Sequence, residues 1–190
     1  VHYRTAIEDE RLSFVPDGQC GSAWITITLV CGEPHAIAKF YFRYLQWNMS
    51  YILNRPGWLI EGAMEYSAAR YVQHAQGRSG DPLHFHRRSA RDDTSEQRTL
   101  HQLPTYIQHW GDDPSATRMA ALAVDWLVRH SGDPNSLFDV FRRVSDYFRT
   151  PLRNDHDWER AFEEAFGIAV EDFYERFAEY RANGFILDQE

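Results

Sequence analysis

Lysine is almost missing from this chain of 190 residues: of twenty basic side chains all but Lys39 are arginine. The arginine bias carries no functional weight, but it makes the position of the single lysine worth following. Basic charge is also short, since 28 acidic residues leave a formal net charge of −8. That excludes a nucleic-acid binder, which needs a basic footprint to displace counterions, and it disfavours docking on an anionic membrane surface. No window approaches eighteen apolar residues, so no transmembrane helix is expected. Cysteine is limited to Cys20 and Cys31. If the run between them is one straight strand, at about 3.3 Å per residue they stand too far apart to bridge, and only a hairpin within it would bring them together. No internal repeat is visible.

What is present is an aromatic-rich globular composition, with 43% hydrophobic and 15% aromatic residues. This is enough chain for one domain, taken as 1–190, with a substantial core. Pro16-Asp17-Gly18 marks a turn. Ala23 to Cys31 alternates and is β-branched, and it is the one convincing strand. Gly32-Glu33-Pro34 ends it. From His35 to about Leu53 runs an aromatic helix whose apolar residues cover most of its circumference, predicting a central helix packed on several sides. A second helix is expected from Trp58 to about Gln73. Residues 76–102, rich in Arg, Asp, Ser and His, read as a long polar surface loop. Further helices follow over 115–130, 135–148, 155–166 and 170–183, separated by Gly132, Pro134 and Gly167. The expected fold class is mainly α (α+β): about six helices with a small strand or sheet edge.

Two segments carry a resemblance. Pro56-Gly57-Trp58-Leu59-Ile60-Glu61-Gly62-Ala63-Met64-Glu65-Tyr66 resembles the P-x-W-L-x-E-G-x-A-E-Y segment of peptidase MA-like gluzincins, the thermolysin-like zinc metallopeptidases, whose first glutamate is a zinc ligand. The preceding helix of that family carries H-E-x-x-H, two histidines one turn apart that bind zinc around a glutamate that activates water. With eighteen residues intervening before Glu61, the family's spacing sets the second histidine at Phe42, the first at Ala38 and the catalytic glutamate at Lys39. Downstream, Thr99 to Pro104, Thr117 to Gly132, and Trp158 through Tyr180 are similar to later parts of the family pattern, so the resemblance covers about 22–182. Thr117 stands where the family's assisting tyrosine is expected.

The resemblance implies the helical half of a zincin-like catalytic domain with its chemistry replaced. Phenylalanine and alanine donate no lone pair, and Glu61 alone cannot hold zinc, so Ala38, Phe42 and Glu61 are former ligand positions and no metal or other cofactor is expected. Lys39 sets a positive charge where the water-activating carboxylate stood, and a Lys39–Glu61 ion pair is the expected substitute for the metal's charge. Lys39, Glu61 and Glu65 are then vestigial rather than catalytic positions. The functional expectation is a pseudopeptidase, a binding or structural subunit whose partner is another protein or a peptide-like ligand in the old cleft. The alternative is an enzyme with repurposed chemistry centred on Lys39 and Glu61, with Lys39 as a nucleophilic amine. An extracytoplasmic setting follows from the resemblance alone.

Other groups read more simply. His35 is a helix-start histidine, or with Glu33 and Glu61 an unorthodox metal site. His84 and His86 read as solvated, as do Arg87, Arg88 and Arg91, which could otherwise meet an acidic partner. Phe40, Tyr41, Phe42, Tyr44 and Trp47 form a stripe expected in the core, with part of it lining the cleft.

Overall fold

The computed structural model describes residues 14–15, 24–25, 34–49, 56–93, 98–103, 113–148 and 157–186. These residues are mainly helical. The helices are α1 (Pro34–Met49), α2 (Gly57–Ala75), α3 (His84–Asp92), α4 (Pro114–Ser131), α5 (Ser136–Phe148), α6 (Asp157–Phe166) and α7 (Val170–Ala182), with one 3-10 turn at Leu100–Gln102. Phe14–Val15 (β1) pairs antiparallel with Trp24–Ile25 (β2), Phe14 opposite Ile25. Two residues a side do not amount to the sheet edge expected beside α1. The remainder of the strand expected over Ala23–Cys31, both cysteines and the turn at Pro16-Asp17-Gly18 lie outside the described residues.

Local chemistry sets the helix ends. Pro34 opens α1 rather than merely closing a strand, since proline at a first helical position loses no hydrogen bond. At α4, Asp113 caps the start, its carboxylate accepting the Ala116 N–H at 2.9 Å, with Pro114 in the first turn. Gly132 closes the same helix in the left-handed conformation, φ 67°, which any side chain would strain.

The centre of the fold is α2, not α1. Residues 57–68 of α2 are buried without exception, and α2 packs against α4 on one side and α1 on the other. The reason is steric. Gly62 lets α4 approach so closely that a Cβ there would lie 2.3 Å from the carbonyl oxygen of Ala120. The facing stretch of α4, Ala120, Ala121 and Ala123, is small and fully buried. The bulk of α1 keeps it at the periphery: Ala38 and Gln46 turn inward, while Ile37, Tyr41 and Tyr44 are exposed. Of the aromatic stripe expected in the core, Tyr41 and Tyr44 are thus exposed and Phe40 and Phe42 half-buried, while the Trp47 side chain lies outside what is described.

Trp58 ties α2 to the C-terminal helices. Its ring stacks on Phe173 at 5.2 Å and meets Phe162 edge-on at 6.3 Å, and its N–H donates to the Tyr174 hydroxyl at 3.0 Å. Burial pushes the Tyr174 hydroxyl up to about 12, despite that hydrogen bond. Rings from α6 and α7 (Phe162, Phe166, Phe173, Phe177) complete the core with apolar residues of α4 and α5.

The segment read as a surface loop over 76–102 contains α3, which accounts for the seventh helix. Arg87 of α3 and Leu83 just before it are buried. A polar composition hid this helix because its inward residues are an arginine and a histidine rather than apolar side chains.

Candidate functional site

Helical spacing lines up His35, Lys39 and Arg43 on α1, and Glu61 and Glu65 on α2. The packing of α1 on α2 brings the two rows together. The Lys39 ammonium donates to Glu61 Oε1 and lies 3.3 Å from Glu65 Oε2. The other oxygen of Glu65 is shared by two imidazoles, His35 Nε2 at 3.1 Å and His86 Nε2, from α3, at 3.4 Å. Three helices thus meet at one carboxylate. Both glutamates are nearly closed off from solvent, with side chains 7% and 9% exposed, whereas Lys39 keeps 24%.

These contacts decide the charge states. For Lys39, burial alone would push the pKa down, but Glu61 and Glu65 more than reverse it and the net shift is upward. For Glu65, burial would raise the pKa, but the hydrogen bonds from His35 and His86 and the Lys39 charge hold it well below the usual carboxylate range. Burial pushes the Arg43 guanidinium down, with Glu61 partly offsetting it. The cluster is an ammonium clamped between carboxylates. Its raised pKa is the reverse of what a nucleophilic amine needs, because a lysine attacks only when deprotonated.

Ala38 and Phe42, expected beside Glu61 from the resemblance, stand apart from this cluster in character. Ala38 is buried. Phe42 turns toward α5, its ring 6.5 Å from that of Phe138, and lines a small apolar pocket with Gln46, Ser67 and Phe141. Gln46 anchors there through its amide N–H, which donates to the Ile60 carbonyl at 3.1 Å. Neither Ala38 nor Phe42 offers a donor atom to a metal, and among the described residues no group of three or more His, Cys, Asp or Glu side chains is arranged to hold one.

Comparison with protein-family models, with curated proteins and with solved structures returns no match. Among the described residues no helix is long and apolar enough to cross a membrane.

Two groups read as solvated turn inward, His86 half-buried and Arg87 buried. His86 is a partner of Glu65, and its Nδ1 is buried without a hydrogen bond. Arg87 pairs with Asp125 of α4 and with Asp81, and donates to the Tyr180 hydroxyl of α7 at 3.1 Å. By contrast His84, Arg88 and Arg91 are at most partly covered. The sequence does hold a signal for the Arg87 network. Asp125 interrupts the apolar run Ala121 to Val128, and an acid so placed needs a buried cation. Glu33 lies outside the described residues.

Proposed function

We propose that this chain is a non-catalytic, pseudopeptidase-like domain that acts as a binding or structural subunit. On this reading it is built on the helical half of a zincin-like peptidase MA domain, with a small sheet edge beside α1. The observation that carries it is the Lys39 ammonium held between Glu61 and Glu65. In a gluzincin frame that cation takes over the charge role of zinc, since an uncompensated pair of buried carboxylates would cost several kcal/mol. The apolar side chains at Ala38 and Phe42 support the same reading. The partner is another protein or a peptide-like ligand that enters beside α1, where Ile37, Tyr41 and Tyr44 are exposed. Exposed aromatic side chains of this kind are enriched at interfaces.

The test is elemental analysis of the dialysed protein together with a peptide-hydrolysis assay, each on the parent and on Glu61→Ala. No stoichiometric zinc and no Glu61-dependent hydrolysis are expected. One zinc per chain, lost in Glu61→Ala along with hydrolysis, overturns the proposal.

A further inference from the structure

The helix α3 is held differently from its neighbours. Within His84–Asp92 the only buried residue is Arg87. Its apolar attachment is confined to Leu83, immediately before the helix, and to a partly buried Ala90. The rest is polar: His86 to Glu65, Arg87 to Asp125 and Tyr180, and the Arg91 guanidinium donating to the Gly184 carbonyl at 3.0 Å. Segments with few buried apolar contacts open at lower free energy than the core. The turn that leads into α3 contains Gly77 and Gly80, both at positive φ with no atom within 4 Å of a would-be Cβ, so it has room to change conformation. Asp81 sits in that turn and would travel with α3, whereas Asp125 on α4 and Tyr180 on α7 stay with the core. Arg87 is therefore a catch between a moving part and a fixed one.

We propose that α3 is a hinged cover over the Lys39–Glu61–Glu65 cluster, closed by the Arg87 catch, with His86 as the group that blocks the cluster's open side. Opening withdraws His86 from Glu65 and leaves the ammonium and carboxylates reachable from solvent. The cover does not depend on what the cleft binds, so it can fail or hold independently of the pseudopeptidase reading.

Lys39 is the only lysine, so its side chain is an internal reporter. The experiment combines native-state hydrogen exchange with acylation of Lys39 by acetic anhydride, which releases acetate, at fixed pH, read by peptide mass spectrometry, on the parent, His86→Ala and Arg87→Met. Amides of 84–92 are expected to exchange well before those of α2 and α4. Both variants are expected to acylate severalfold faster at Lys39 while α4 stays protected. Protection of α3 equal to that of α4, or unchanged labelling in His86→Ala, overturns the proposal. If Arg87→Met does not fold, the parent exchange pattern and His86→Ala decide the matter.

Discussion

Replacing Lys39 by methionine tests the charge argument most directly. Methionine keeps most of the chain's length and removes the ammonium, leaving Glu61 without the Lys39 hydrogen bond and Glu65 without one of its three partners. Truncating one partner of a fully buried pair costs about 3–5 kcal/mol. Lys39 retains 24% exposure and the two imidazoles stay on Glu65, which reduces the expected loss to about 2 kcal/mol. For a chain of this size that lowers Tm by about 4–8 °C. Chemical denaturation and calorimetry measure both quantities. The cycle with Glu61→Gln adds a sharper criterion. If the ammonium serves Glu61, the double variant should be more stable than the sum of the single losses implies, by about 1 kcal/mol or more. A Lys39→Met protein within about 0.5 kcal/mol of the parent, or strictly additive losses, would refute the reasoning.

Further outcomes follow from other contacts. Gly62→Ala should destabilise by about 3 kcal/mol despite alanine's better helix propensity, because its Cβ would meet backbone atoms of Ala120 that cannot rotate away; denaturant unfolding measures it. Glu65 contributes stability that is present above its unfolded pKa of about 4.3 and is lost as pH falls toward its depressed folded value. Glu65→Gln should therefore be less stable than the parent at neutral pH and show a flatter acid limb in a pH series of unfolding curves. Tyr174 has the opposite sign: its folded pKa is raised to about 12, so its contribution is full below about pH 10 and lost as pH rises toward 12. Tyr174→Phe should remove that alkaline loss while leaving the acid limb unchanged.

The helices were legible because their punctuation is local. Expected ends at Gln73, His130, Phe148 and Phe166 lie within two residues of the observed ones, and Pro34, Pro114, Gly132 and Gly167 mark boundaries by backbone preference alone. The pairing of Lys39 with Glu61 was legible for another reason: the resemblance to gluzincins implies that both stand at one former metal position, where the lysine would answer the carboxylate. Burial order was less readable. Apolar periodicity counts hydrophobic residues, but which helix sits at the centre depends on how closely neighbours can approach, and a small residue such as Gly62 decides that without raising the apolar signal. The inward turn of His86 was not readable, because its partner Glu65 lies on another helix, and for Arg87 the one signal was distant: Asp125 set in the apolar run of α4.

The close approach at Gly62 also fixes how α2 is rolled about its own axis. Successive residues of a helix are set about 100° apart, so seating Gly62 against Ala120 dictates the bearing of Glu61 and, one turn on, of Glu65. The α2–α4 contact is in that sense the keyway of the cluster. A side chain added at Gly62, pressed against the backbone of Ala120, would turn both carboxylates relative to Lys39, His35 and His86 together, and a change in helix packing would be read out as a change in electrostatics.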